Sequence, residues 1–322
     1  MLSAYATAPN PSDPLAALAI GQRPEPAVPE GWTTVSVRAA SLNHHDLWTL
    51  RGVGIPADRF PMVLGCDASA VDPDGREVVV HTVIPGADWI GDETLDPDRT
   101  LLSELHPGTF AERVAVPRRN LVPKPAELSH VEAACLSTAW LTAYRMLFVR
   151  SGVRPGGTVL VQGASGGVAT ALIALGATTG YRVWATGRSE QKRKAALELG
   201  AHATFEPGAR LPERVDAVLE TVGEATWAHS LRALRPGGTL VVSGATSGPN
   251  PPADLSRVFF RQLNVVGSTM GTRAELESLI ALLVTTGLRP TVDTTLPLER
   301  AGDGLAKMAA SDTAGKIVLT LD

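Results

Sequence analysis

The stretch that most limits how this chain can fold runs from Thr158 to Lys192. Thr158–Gln162 is a short β-branched, apolar run suited to a strand covered on both faces. It breaks at Gly163-Ala164-Ser165-Gly166-Gly167, and from Val168 an Ala-, Leu- and Ile-rich segment reads as a helix of about three turns. A second apolar run, Tyr181–Thr186, ends at Gly187-Arg188-Ser189. Strand, glycine turn, helix and strand form one βαβ unit, with the glycines where a helix N-terminus opens. Unpaired backbone N–H groups and the positive end of the helix dipole can hold a pyrophosphate there. Gly163 permits the tight turn, while Gly166 and Gly167 remove the Cβ atoms that would keep the backbone from the phosphates. The third glycine of G-x-G-x-x-G is not in its usual place. A glycine turn that binds nothing is the competing reading.

A chain of 322 residues suits two domains better than one core. Its net charge of −4, with no dense basic cluster, gives no footprint for nucleic acid. The densest basic group, Arg188, Lys192, Arg193 and Lys194, instead borders the second strand of the glycine unit. Two cysteines, Cys66 and Cys135, show neither zinc nor redox spacing. The N-terminus lacks the pattern of a signal peptide, and no apolar run approaches the roughly eighteen residues of a membrane span. A cytoplasmic enzyme with a small-molecule substrate and no membrane partner is the expectation.

Residues 1–32 are rich in Pro and Ala and read as an edge strand followed by a connection. Short strands are expected at 33–40, within 60–71, at 77–84 and at 110–117, with turns between them and a polar surface loop at 85–107. This is the pattern of a small β-barrel-like domain ending near Pro125. The capping-box residues Ser129 and Glu132 then open an apolar helix over 133–148. Arg154-Pro155-Gly156-Gly157-Thr158-Val159-Leu160-Val161 is echoed by Arg235-Pro236-Gly237-Gly238-Thr239-Leu240-Val241-Val242. One turn-into-strand device thus starts a strand in each half of a doubly wound parallel sheet. Further strands are expected at 215–220 and 263–267 and a helix at 273–286. After Pro290 the chain returns to the first domain. The expected division is 1–124, 125–289 and 290–322.

Ala40-Ser41-Leu42-Asn43-His44-His45-Asp46, Pro61-Met62-Val63-Leu64-Gly65, Gly108-Thr109-Phe110-Ala111-Glu112, Leu141-Thr142-Ala143-Tyr144, the glycine turn and Gly315-Lys316-Ile317-Val318-Leu319 are informative together. Over nearly its whole length the chain resembles the medium-chain dehydrogenase/reductase superfamily, and within it the zinc-free, quinone-oxidoreductase-like branch. The resemblance implies an α/β fold: a Rossmann domain, doubly wound, plus a GroES-like β-barrel domain split across both chain ends, with the active cleft between them. It also implies a homodimer, with the strand at 263–267 extending the sheet across a two-fold axis.

Related alcohol dehydrogenases carry a catalytic zinc. Matching the family's motifs places Asn43, Cys66 and Thr138 at its three protein ligands, an amide, a thiol and a hydroxyl, which is not a Zn²⁺ donor set. The loop at 85–107 also lacks the structural cysteines. No metal site is therefore expected; His44 and His45 as ligands are the alternative. Without a Lewis acid, hydride transfer suits a substrate that is already electrophilic, a quinone or an α,β-unsaturated carbonyl. Asn43 is expected nearest the reacting centre and Thr138 beside the nicotinamide, with a loop-stabilising Asn43 as the rival reading.

About twenty residues beyond the glycine motif, NAD enzymes place a carboxylate for the ribose 2′-OH. Here Gly187 holds that position, followed by Arg188, Ser189 and Lys192, which suit a 2′-phosphate. NADPH is the expected cofactor, held by Gly163, Ala164, Ser165, Gly166, Gly167, Val168, Gly187, Arg188, Ser189 and Lys192. By resemblance Ser243, Gly244, Ala245 and Ser268, at the ends of later strands, border the nicotinamide. Two other functions compete: an alcohol or aldehyde dehydrogenase, and an NADPH-binding protein without turnover.

Overall fold

The computed structural model describes residues 1–321. It divides into two compact units, Met1–Leu141 with Met270–Asp322, and Thr142–Thr269. In chain order the first unit opens with β1 (Leu2–Ala6), β2 (Leu18–Gln22), β3 (Trp32–Ser41), α1 (His44–Arg51), β4 (Met62–Val63) and β5 (Asp67–Val71). It continues through β6 (Glu77–Val80), β7 (Val83–Ile84), β8 (Thr100–Leu101), β9 (Arg113–Pro117), β10 (Leu121–Pro123), α2 (His130–Ala133) and the first residue of α3 (Leu141–Tyr144). The second unit carries β11 (Thr158–Val161), α4 (Gly167–Thr178), β12 (Arg182–Thr186), α5 (Glu190–Glu198), β13 (Ala203–Phe205) and β14 (Val215–Glu220). Its remaining elements are α6 (Glu224–Ala233), β15 (Leu234–Val242), α7 (Leu255–Phe260) and β16 (Asn264–Gly267). The chain then returns to the first unit with α8 (Arg273–Thr286), β17 (Val292–Pro297), α9 (Ala301–Ala309) and β18 (Lys316–Thr320).

In the second unit six parallel strands run in the order β13-β12-β11-β14-β15-β16. Numbered by appearance within the unit, that is 3-2-1-4-5-6, the doubly wound order in which ligands meet the carboxyl ends of the strands. Val159, Leu160 and Val161 are buried, as a strand covered on both faces requires.

The first unit is built mainly from antiparallel strands. A seven-stranded sheet takes the order β10-β6-β5-β3-β18-β17, with β9 also paired to β3, beside a smaller sheet β2-β1-β4. The apolar core includes Val35, Val37, Leu64, Phe110, Leu305 and Ile317, so residues from both chain ends close one interior. β18 lies between β3 and β17, pairing Val318 with Ser41 and Leu319 with Ala40.

Three expectations shift. Residues 125–141 and 270–289, read from sequence as part of the nucleotide unit, cluster with the first unit. Polar contacts fix them there: Ser137 donates to the Val80 carbonyl at 2.6 Å and Arg273 to the Leu121 carbonyl at 3.3 Å. The strand expected over 77–84 is two strands, because the Asn120 amide donates to the carbonyls of both His81 and Val83 at 2.7 Å and takes them from the ladder. The helix expected over 133–148 is interrupted by wider π-type turns at Leu136–Trp140 and Arg145–Arg150. Among the described residues no helix is long and apolar enough to cross a membrane.

Candidate functional site

The glycine turn of the second unit stands on a chain of polar contacts. Gly163 has φ = +91°, in the left-handed region that favours glycine. Its N–H donates to Thr186 Oγ1 at 3.0 Å, and that hydroxyl donates to Gln162 Oε1 at 2.8 Å. The Gln162 amide donates to Ser230 Oγ at 2.9 Å, and Ser230 donates to the buried Glu220 carboxylate at 2.6 Å. Glu220 also accepts the N–H groups of Val222 and Gly223, at 2.8 and 3.1 Å. The ends of β11, β12 and β14 and the side of α6 are thereby tied together beneath the turn. Above it there is room: a Cβ built on Gly166, the N-cap of α4, meets nothing within 4 Å, and one on Gly163 meets only Val222 Cγ2 at 3.9 Å. Ala164 is buried, whereas Ser165, Gly166, Gly167 and Val168 keep exposed surface at the opening of α4.

At the end of β12, Gly187 is closed to any side chain. A Cβ there would lie 2.9 Å from Arg193 Cγ and 3.3 Å from Ala164 Cβ. Arg193 donates from Nη1 to the Gly187 carbonyl at 2.9 Å and pairs with Glu206 at 3.5 Å. It is therefore a buttress of the strand end. Arg188 is exposed, and Ser189 caps α5 by accepting the Lys192 N–H at 3.3 Å. Along the same sheet edge, the Ser243 N–H donates to the Glu220 carbonyl at 2.9 Å. A Cβ on Gly244 would press on the Thr221 carbonyl at 3.0 Å, and Ala245 packs beside Gly223. The Ser268 N–H donates to the Val242 carbonyl, but its hydroxyl oxygen is buried with no hydrogen-bond partner. Such an orphan is rare enough to ask for a ligand.

In the first unit Asn43 and Thr138 meet on one carboxylate that sequence reasoning missed. Asp67 is fully buried; its Oδ1 accepts the Thr138 hydroxyl at 2.5 Å and its Oδ2 accepts Asn43 Nδ2 at 2.9 Å and Ser41 Oγ at 2.8 Å. Lys316, 2 % exposed, supplies the countercharge 3.5 Å away. Its ammonium also donates at 2.6 Å to both Asn43 Oδ1 and the Leu42 carbonyl. The second Asn43 amide hydrogen goes to the Ser41 carbonyl at 3.2 Å, so this side chain is wholly engaged within the protein. Thr138 is the partly exposed member, with oxygen lone pairs left to accept. Below them Asp46, fully buried at the start of α1, accepts the N–H groups of Asn43 at 2.8 Å and Gly65 at 3.1 Å. Burial raises its pKa to about 6, against the pull of the Asn43 N–H, His45 and Lys316.

Comparison with known proteins agrees with both units. Residues 29–126 match the alcohol dehydrogenase GroES-like domain, and residues 167–285 match the domain described as zinc-binding dehydrogenase. The solved structure of an NAD-dependent alcohol dehydrogenase is 32 % identical, with a TM-score of 0.91 and full coverage of both chains. The acryloyl-coenzyme A reductase of Metallosphaera sedula is 29 % identical over 93 % of this chain and 94 % of its own. The 2-octenoyl-CoA carboxylase reductase CinF, solved with NADP and 2-octenoyl-CoA, is 25 % identical, with a TM-score of 0.91, over 99 % of this chain and 87 % of its own.

The zinc named by one domain description does not suit the residues present. Asn43 and Thr138 offer an amide oxygen and a hydroxyl, and both are committed to a cluster that already contains the Lys316 ammonium. A divalent cation there would face a buried positive charge. Ligand atoms of His45, Asp46 and Cys66 do lie within 4.8 Å of one another. Both Asp46 oxygens, however, cap backbone N–H groups, and His45 Nε2 is held by Glu104 at 3.1 Å. The two domain matches, the full-length structural agreement and the 3-2-1-4-5-6 sheet give one conclusion: the chain belongs to the medium-chain dehydrogenase/reductase superfamily.

Proposed function

We propose that this protein is a zinc-independent, NADPH-dependent reductase of conjugated carbonyl compounds, with α,β-unsaturated thioesters favoured over quinones. The observation that carries the reading is the end of β12, where Gly187 leaves no space for a ribose-binding carboxylate and Arg188 stands exposed beside it. A 2′-phosphate there meets a guanidinium, the Ser189 hydroxyl and the first turn of α5 instead of a repelling anion. Gly163, Ala164, Ser165, Gly166, Gly167 and Val168 would carry the pyrophosphate. Ser243, Gly244, Ala245 and the orphaned Ser268 hydroxyl would face the nicotinamide end. The M. sedula and CinF relatives are named for unsaturated acyl thioesters, which supports the substrate class.

NADPH held at the glycine turn would supply the hydride for the β-carbon of such a substrate, and the resulting enolate would take its proton from solvent. A substrate of this kind needs no metal to accept it. Thr138 is the cluster member able to accept a hydrogen bond from a ligand, and Asn43 acts by holding Asp67 and Lys316 in register. Val265 is 47 % exposed on the edge strand β16, which suits strand pairing in a homodimer. Two buried, unbridged cysteines suit a reducing cytoplasm.

The test follows cofactor oxidation by absorbance with a panel of short enoyl thioesters, enones and quinones, with NADPH or NADH, before and after chelation. Consumption of NADPH with the thioesters, unaffected by chelator, is expected. Equal use of NADH refutes the cofactor assignment, and loss of turnover on chelation refutes metal independence. Tight NADPH binding by calorimetry without turnover on any substrate identifies a non-catalytic binder.

A further inference from the structure

The first unit also holds a cavity of about 240 Å³ that takes no part in the proposed reduction. Its walls come from β7, the start of the loop at 85–107, the residues before β10 and the first turn of α8. Trp89, Glu93, Arg119 and Arg273 stand around it with His81 and Asn120. The volume falls short of the roughly 300 Å³ at which pockets begin to enclose drug-sized molecules, so it suits a smaller one. Gly91 and Arg119 are exposed and Trp89 is half-buried, so the mouth is open to water.

Charges of both signs line the cavity without meeting each other. Among the described residues Glu93 makes no hydrogen bond or ion pair, and Arg119 has no carboxylate partner. The Arg119 guanidinium is held in place by backbone alone: Nη2 donates to the carbonyls of Pro85 and Gly86 at 2.6 and 2.9 Å. Arg273 gives Nη1 to Glu277 at 2.6 Å and Nη2 to the Leu121 carbonyl at 3.3 Å, but its Nε is buried with no partner. A buried donor left over is rare enough to point to a ligand. Two acceptors are left over as well. The Asn120 amide gives both hydrogens to backbone carbonyls, and no protein donor meets its Oδ1. His81 Nε2–H donates to the Gly271 carbonyl at 2.9 Å, which leaves Nδ1 as a lone pair. Burial, aided by Arg273, pushes the His81 pKa down to about 4, so the ring stays neutral and that nitrogen stays an acceptor.

We infer that this cavity binds a free α-amino acid with an apolar side chain. The α-ammonium of such a ligand has three N–H donors, which Glu93, His81 Nδ1 and Asn120 Oδ1 match in number. Its carboxylate answers Arg119 and the orphaned Arg273 Nε. Val83, Pro85 and Trp89 supply apolar wall for the side chain. A bare anion would be repelled by Glu93, and a bare cation would face two guanidiniums, so a small molecule carrying one charge of each sign satisfies both. Binding here is reversible and needs no cofactor, so the inference is independent of the proposed reduction.

Calorimetric titration of the full-length protein with L-leucine, isocaproate and isoamylamine tests it; isocaproate lacks the ammonium of leucine and isoamylamine its carboxylate. L-leucine is expected to bind about tenfold or more tightly than either analogue. Glu93→Gln should weaken L-leucine about tenfold and leave isocaproate no weaker, whereas Arg119→Gln should weaken both. Isocaproate or isoamylamine binding as tightly as L-leucine, a leucine affinity unchanged in Glu93→Gln, or binding of none of the three overturns the inference. Glu93 makes no polar contact within the protein, so Glu93→Gln should keep the wild-type unfolding temperature. That variant decides the matter if Arg119→Gln disturbs the loop: a weakened leucine affinity supports the site, and an unchanged one overturns it.

Discussion

Replacing Lys316 by Met keeps the length of the side chain and deletes its charge, leaving Asp67 buried among hydroxyl and amide donors without a countercharge. At the observed 3.5 Å separation, an effective dielectric of about 20 gives an attraction of about 5 kcal/mol. The variant also regains the cost of burying an ammonium, and removing one partner of a buried pair loses about 3–5 kcal/mol net. That range also covers the two strong acceptors, Leu42 O and Asn43 Oδ1, deprived of their donor. We therefore expect Lys316→Met to lower the unfolding free energy by about 4 kcal/mol. Asp67→Asn should cost a comparable amount by stranding the lysine. In the double variant both charges are gone, and the amide introduced in place of the Asp67 carboxylate can donate to Asn43 Oδ1 where the ammonium did. The loss should fall short of the sum by about 2 kcal/mol or more. Urea unfolding followed by tryptophan fluorescence, with slopes compared across the four proteins, measures each corner of the cycle. A loss below about 1 kcal/mol in Lys316→Met, or strict additivity, refutes the view that these two charges hold the cluster together.

Arg188→Ala should raise KM for NADPH about tenfold or more and leave KM for NADH unchanged, because only the phosphorylated ribose meets the guanidinium; parallel changes for both cofactors would count against it. Gly187→Asp should not convert the protein to NADH use, since its Cβ meets Arg193 Cγ at 2.9 Å, and pairing it with Arg193→Ala should restore stability measured by thermal unfolding. Asp46 binds its proton more tightly folded than unfolded, so its contribution to stability is full below about pH 4 and is lost as pH rises through about 6. The pH dependence of unfolding of the wild type minus that of Asp46→Asn should show a decline of about 3 kcal/mol across that window; a flat difference is the contrary result.

Sequence revealed the elements whose signals are local. The helix expected at 273–286 is found at Arg273–Thr286, because Thr272 and Glu275 close a capping box at one end and Gly287 turns left-handed at the other. The strand–glycine–helix unit was equally legible, since the turn, the helix opening and both strands lie within one stretch. Asp67 and Lys316 were not found, because their partners are distant: Asn43 is 24 residues from Asp67, and Lys316 is 249 residues from it. Periodicity is blind to contacts of that span. A signal was present all the same. Both charges stand at the head of short, mostly apolar strands, where an unpaired charge is rarely tolerated. Gly187 was read as a missing carboxylate; only coordinates show that Arg193 and Ala164 fill the space a carboxylate would need.

The countercharge of Asp67 lies on the last strand of the chain. During synthesis Asn43, Asp67 and Thr138 emerge long before it, so an emerging first unit carries an uncompensated carboxylate at its centre. The pair can form only after the ribosome has delivered Lys316, by which point the intervening parallel-sheet unit has already been made. Loss of the segment from Lys316 onward would thus strike the interior of the first unit and not its edge.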